Sequence, residues 1–250
     1  MSAILRLANV SRRFGGLLAV NNVSFALEAG EVVGLIGPNG AGKTTLVNLV
    51  TGVHRAGAGE IWYADERIDR LSSDRIARRG IARTFQVVQP FPHMTVLDNV
   101  TGGALFAGGV ATIRAARDKA MEHLEFTGLA GLAARPAAAL TLANRKRLEL
   151  AQSLATNPRL LLLDEVNAGL IASEIDAALE LIRAIAARGI TILLIEHVMK
   201  VVLKATSRIL VLHHGELIAD DTPAEVTRDP RVIEAYLGRK FAAQYATVAP

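Results

Sequence analysis

Nine consecutive residues, Gly37-Pro38-Asn39-Gly40-Ala41-Gly42-Lys43-Thr44-Thr45, carry the clearest chemistry in the chain and read G-x-x-x-x-G-K-T. Glycines at this spacing let the backbone curl until successive N–H groups point at phosphate oxygens. A helix opening near Gly42 would add its positive end. Lys43 can then reach the β- and γ-phosphates, and the Thr44 hydroxyl can ligate Mg²⁺. A glycine-rich turn that binds nothing has the same letters, so context decides. The apolar run from Glu31 to Ile36 predicts a buried strand before the motif, and Thr45 to Val50, apolar at helical spacing, predicts a helix after it. A strand–loop–helix around this pattern implies a bound nucleoside triphosphate.

A second candidate lies downstream, where four leucines, Leu160 to Leu163, lead into Asp164-Glu165. The leucines predict a buried strand. Asp164 can hold Mg²⁺ directly or through water, and Glu165 can orient and deprotonate an attacking water. An acidic pair that merely caps the next helix is the alternative. Gln86 follows a strand expected over Ile81 to Phe85, and His197 follows one expected over Ile190 to Ile195. Either residue alone reads as an ordinary polar residue at a strand end. Together the four elements predict convergence on the carboxyl edge of a parallel sheet. Phe14 can stack on a base or pack in the core. The basic run Arg145-Lys146-Arg147 reads as a solvated helix face.

The elements that must position these residues follow from the same pattern reading. Ile4 to Val10 and Ala19 to Leu27 predict a small β layer, and Gly57 to Ile68 a hairpin-like return. Ser72 to Arg79 predicts a short basic helix with Ser72 or Ser73 as N-cap. Helices are expected over Val96 to Ala107, Thr112 to Gly128, Thr141 to Ala155 and Glu174 to Ala187. A hairpin is expected around Gly215, and a helical tail over residues 223–237. With 250 residues and no internal repeat, this predicts one α/β nucleotide-binding domain. Its core and β layer would take residues 1–86 and 146–222, an inserted helical subdomain 87–145, and a C-terminal tail 223–250.

Composition narrows the function classes. Hydrophobic residues make up 51% and mean hydropathy is +0.31, which strands buried on both faces and an apolar docking surface would explain. No run approaches the ~18 apolar residues of a membrane span, and the N-terminal segment lacks the pattern of a signal peptide. With no cysteine, disulfides and thiolate metal sites are excluded. A net charge of +4 gives no argument for a nucleic-acid partner.

The chain resembles the ATP-binding subunits of ABC transporters over essentially its whole length. Phe14 matches the base-stacking aromatic loop, Gly37 to Thr45 the Walker A motif and Gln86 the Q-loop. Leu160 to Asp164 with Glu165 match the Walker B motif and catalytic glutamate, and His197 the switch histidine. Stretches such as Gly80-Ile-Ala-Arg-Thr-Phe-Gln86 and Glu234-Ala-Tyr-Leu-Gly238 are similar to the branched-chain amino acid importer ATPases. The resemblance implies the ABC ATPase fold: a P-loop core with a parallel sheet, an antiparallel β layer and an inserted helical subdomain. It implies ATP as ligand and Mg²⁺ held by Thr44, Gln86 and Asp164. It also implies membrane-spanning permease subunits, a second ATPase subunit and indirectly a solute-binding protein as partners, with the chain peripheral on the cytoplasmic face of the inner membrane. A soluble ABC-type ATPase not coupled to transport is the alternative. A small-molecule kinase would leave Gln86, His197 and the signature helix unexplained, and no Asn-Lys-x-Asp stretch reads guanine.

Departures from the family pattern cluster in what the chain would offer a partner cassette. The signature Leu-Ser-Gly-Gly-Gln aligns with Leu140-Thr141-Leu142-Ala143-Asn144. Thr141 keeps the hydroxyl, whereas Ala143 adds a methyl where backbone must approach phosphate, and Asn144 is a methylene shorter. Val166 replaces the usual proline, and Ile171 stands where an Asp or Asn sits in the D-loop. These changes predict either an asymmetric pairing with a different ATPase subunit or a slow homodimer.

Overall fold

The structure is a computed structural model that describes residues 3–84 and 90–237. The chain opens with β1 (Ala3–Phe14), β2 (Leu17–Glu28) and β3 (Val32–Ile36), then α1 (Lys43–Val50), β4 (Ala58–Tyr63) and β5 (Glu66–Arg67). Next come α2 (Ser73–Ala77), β6 (Ile81–Arg83), α3 (Val96–Phe106), α4 (Ile113–Phe126) and α5 (Leu142–Ala155). The remainder is β7 (Leu160–Asp164), α6 (Ala172–Ala186), β8 (Thr191–Ile195), α7 (Met199–Ala205), β9 (Arg208–His213) and β10 (Glu216–Asp221), then α8 (Pro223–Val226) and α9 (Pro230–Leu237). Two compact units result, one from the chain up to Arg70 together with the chain from Leu193 on, the other from Leu71 to Ile192.

In the first unit an antiparallel layer has the order β2–β1–β4–β5. Alternation buries Leu5 and Leu7 opposite Leu27 and Phe25 on one side and Tyr63 and Ile61 on the other. This is the period-2 signature of a half-buried sheet. A second ladder runs β10–β9–β3–β8. β3 is parallel to β9, with Ile36 opposite Val211, and the Glu196 N–H donates to the Leu35 carbonyl at 3.4 Å. Gly37 and His197 thus both leave the ends of neighbouring strands. The β9–β10 turn has His214 and Gly215 at φ +49° and +83°, the positive angles that a tight hairpin requires. The expected helical tail is two helices, with Val226 of α8 and Val232 of α9 packed on Ile36 and Val211.

In the second unit β6 runs parallel to β7, with Arg83 opposite Leu162, and every residue of β7 is buried. Helices α3, α4 and α5 share a core of Val96, Val100, Ala116, Leu124, Leu148 and Ala151. Each begins at a threonine, Thr95, Thr112 or Thr141, whose hydroxyl accepts the N–H of Asp98, Ala115 or Asn144. These caps satisfy backbone donors that a helix start leaves orphaned. Ser72 stands at the N-cap of α2, but its side chain takes no cap bond; its hydroxyl instead bonds the Asp74 carboxylate and helps hold it below its ordinary pKa. Helix α6 starts two residues before the expected Glu174, because the Glu174 carboxylate accepts the Ile171 N–H at 3.0 Å and closes the helix start by itself. No helix among the described residues is long and apolar enough to cross a membrane.

Candidate active site

The glycine-rich loop follows β3 and ends on α1, as the sequence predicts. Gly42 holds the N-cap at φ +104° with no side-chain cap, and the first intrahelical bond there is Leu46 N–H to the Gly42 carbonyl. The N–H groups of Lys43, Thr44 and Thr45 therefore sit in the first turn, where an α-helix supplies no acceptor and anions are favoured. Lys43 is buried, and its Nζ donates to the Gly37 carbonyl at 2.7 Å and the Pro38 carbonyl at 3.2 Å. The lysine thus lies folded along the loop it would serve.

Neighbouring backbone presses on the loop from behind. A Cβ at Gly37 would lie 2.2 Å from the Leu212 carbonyl oxygen, and one at Gly42 2.4 Å from that of Ala19. The β9–β10 turn braces the same segment, with the Gly215 N–H donating to the Ala41 carbonyl at 2.9 Å. From α9, Tyr236 bonds the Gly37 backbone, while burial raises its phenol above the ordinary pKa. Phe14, at the end of β1, is 38% exposed. Its ring meets His54 edge-on at 5.2 Å, and the Arg12 guanidinium lies 4.7 Å from its centroid. Phe14 is therefore not a core residue. His197 is exposed just beyond β8.

In the second unit Asp164 is buried at the end of β7. Its Oδ2 accepts from Arg83 Nη2 at 2.7 Å, and its N–H donates to Thr84 Oγ1 at 3.0 Å. Glu165 follows at φ +51°, a left-handed conformation that costs a non-glycine residue about 1–2 kcal/mol. Lys146 Nζ donates to the Glu165 carbonyl at 3.2 Å. The basic run of α5 is therefore not the solvated face that its charge suggested. Lys146 is buried, and Arg145 donates to the carbonyls of Leu140 and Ala138. Gln86 lies outside the described residues.

At the start of α5, Thr141 and Leu142 are exposed while Ala143 and Asn144 are half-buried. The Thr141 hydroxyl accepts the Asn144 N–H at 3.3 Å. A Cβ at Gly169 would touch Leu142 Cδ2 at 3.0 Å. Ala143 and Val166, two of the departing residues, line one cavity of about 20 Å³ with Lys146, Leu170 and Ile182. Ile171 is 65% exposed at the N-cap of α6, a position where Ile is disfavoured. Arg83 and Lys146 are the contributors that sequence reading missed; neither gave a local signal, because their partners, the Asp164 carboxylate and the Glu165 backbone carbonyl, are 81 and 19 positions away.

The chain is similar to known proteins over most of its length. A family model described as ABC transporter matches residues 20–168, and one described as branched-chain amino acid ATP-binding cassette transporter matches residues 216–242. The chain is 42% identical over 251 residues to the high-affinity branched-chain amino acid transport ATP-binding protein LivG of Escherichia coli (strain K12), covering 94% of this chain and 98% of that one. Among solved structures, the ADP conformation of MJ1267, an ATP-binding cassette of an ABC transporter, superposes with a TM-score of 0.86 at 32% identity, covering 96% of this chain and 100% of that one. The dimeric structure of MJ0796, a bacterial ABC transporter cassette, gives 0.78 at 25% identity, covering 88% and 98%.

Proposed function

We propose that this chain, which belongs to the ABC transporter family of ATP-binding proteins, hydrolyses ATP to power import of branched-chain or related amino acids. The observation that carries the nucleotide reading is the loop itself. At Gly37 and Gly42 only glycine fits, and Lys43 is tethered to the loop it would leave when phosphate arrives. The C-terminal match over residues 216–242 supports the amino-acid class.

In this reading Gly37 to Thr45 cradle the phosphates, Lys43 moves onto their β- and γ-oxygens, and Phe14 stacks on the base. Thr44, Gln86 and Asp164 would hold Mg²⁺. A hydroxyl and a carboxylate suit that ion, which takes few protein oxygens and completes its shell with phosphate and water. No group of three or more His, Cys, Asp or Glu residues that could cage a metal alone occurs among the described residues. When bound, the ion neutralises charge on the phosphate oxygens. Glu165 orients the water and takes its proton as the water oxygen bonds the γ-phosphorus and the bond to the bridging oxygen breaks, leaving ADP and phosphate. His197 contacts the γ-phosphate. Positioning and electrostatics carry most of this chemistry.

Thr141, Leu142, Ala143 and Asn144 face the nucleotide of a second cassette, which is either a different subunit or a copy that turns over slowly. The residues from 87 to 145 act as the helical insertion that meets a permease, and a solute-binding protein delivers the solute to that permease. The chain would work at the cytoplasmic face of the inner membrane. Affinity purification of the tagged chain from detergent-solubilised native membranes tests this. A polytopic membrane subunit should co-purify, with a second ATPase in the asymmetric case and without one in the homodimer. Recovery from the cytosolic fraction with no membrane protein would sink the transport assignment.

A further inference from the structure

Arg83 ends β6 with its guanidinium on Asp164, the two side chains being 10% and 5% exposed. The next residue, Thr84, is fully buried; its hydroxyl accepts the Asp164 N–H, and its own N–H donates to the Leu162 carbonyl at 2.9 Å. Asp164 is thus gripped at the backbone by Thr84 and at one carboxylate oxygen, Oδ2, by Arg83. A buried, charge-assisted bond of this length fixes a rotamer as well as a charge balance. The grip sits three residues before Gln86, in the strand that leads to it.

We propose that Arg83 is a positioning residue for the divalent cation: by engaging Oδ2 it orients Asp164 so that Oδ1 is the oxygen offered to the metal. The proposal rests on the Mg²⁺–nucleotide reading above. Two effects oppose each other when Arg83 is removed. Loss of a nearby positive charge favours a cation, whereas loss of the outer-shell bond frees the ligand to rotate. Outer-shell partners of metal ligands typically matter by 10–100-fold in affinity, so orientation is expected to win.

The experiment compares the affinity of the full-length chain for a fluorescent ADP analogue in saturating Mg²⁺ and in EDTA. The ratio of the two affinities measures the metal's contribution without turnover. Arg83→Met should leave the EDTA affinity unchanged and shrink the ratio about tenfold, with Arg83→Lys in between. Asp164→Asn should shrink the ratio too, and adding Arg83→Met to it should change nothing more, since the two act through one carboxylate. An unchanged or larger ratio in Arg83→Met, or additive losses in the double variant, would overturn the proposal. Should Arg83→Met fail to fold, Arg83→Lys and Arg83→Gln give the same comparison. Failure of the unaltered chain to bind the analogue at all is a different result, and would overturn the nucleotide reading instead.

Discussion

Lys146 Nζ donates to the backbone carbonyl of Glu165, so a side chain near the start of α5 holds the backbone of the carboxylate read as base. The same helix begins at Thr141, in the segment aligned with the family signature. Its N-terminus and Glu165 are therefore joined by one buried side chain.

That link predicts a specific kinetic defect. With Glu165 at φ +51°, loss of the bond should let its backbone relax and misplace the carboxylate. Lys146→Met should lower kcat roughly tenfold with little change in KM for ATP, as misplacement of a catalytic group does, while Lys146→Arg restores most of it. Steady-state ATPase assays on the chain check this. A loss in KM alone, or no rescue by arginine, would show that Lys146 only supports packing.

How the site could be read from sequence follows from where its information lies. The phosphate loop and the Asp164-Glu165 pair are contiguous in the chain, each preceded by an apolar run, so motif and element were legible together. The spans of α3 to α6 were legible within a residue or two, since threonines mark three of the starts, whereas α7 was not expected and the tail is broken into two helices. Arg83 and Lys146 were not legible, because charge suggests exposure and only the packing of β6 and α5 onto β7 and its end buries them. The start of α6 was missed for a local reason: Ile171 cannot cap, and the closing bond comes from Glu174 three residues on.

Glu165→Gln keeps the shape of the side chain and removes the base. Nucleotide affinity should stay within a factor of about two while turnover falls roughly 10²–10⁴-fold, the range for a general base. Binding of an ATP analogue and release of phosphate, measured on the same preparation, separate the two. A smaller drop in turnover would take Glu165 out of the role.

Gly42→Ala places a methyl 2.4 Å from the Ala19 carbonyl at φ +104°, so backbone must shift. It should cost about 1–3 kcal/mol of stability, the range for a strained backbone position, and abolish nucleotide binding. Gly30→Ala is the control: φ is +79°, but nothing lies within 4 Å of the added methyl. It should cost about 1 kcal/mol from strain alone and leave binding intact. Urea denaturation and nucleotide titration of both variants would expose an error if they behave alike.

Restoring the signature tests what its departures do. Ala143→Gly with Asn144→Gln should raise turnover, by restoring glycine at the close approach to phosphate that the family resemblance implies. Because Ala143 also lines the cavity with Val166, the same change should lower stability by about 0.5–1 kcal/mol, the usual cost of glycine within a helix. A rise in ATPase rate together with a fall in the unfolding midpoint is the expected signature. Unchanged turnover would make the altered segment functionally neutral.

His123 gives the fold a pH dependence apart from the active site. It is buried in α4 with no partner on Nδ1 among the described residues. Burial first, then the nearby charges of Lys119 and Arg188, push its pKa from 6.5 down to about 4, against a smaller opposing effect of Glu122. The folded chain therefore prefers neutral imidazole, and an unfolded chain takes up the proton first as pH falls. The stability His123 contributes is fully present above the unfolded value near 6.5 and drains away down to about 4. At about 1.4 kcal/mol per pKa unit, discounted for residual contact with water, the loss is about 2 kcal/mol. His123→Gln should remove that component, so its urea midpoint should fall less than the wild-type midpoint between pH 7 and pH 4. Parallel declines in the two proteins would mean that His123 is hydrated in the folded state, and that acid sensitivity arises from the carboxylates instead.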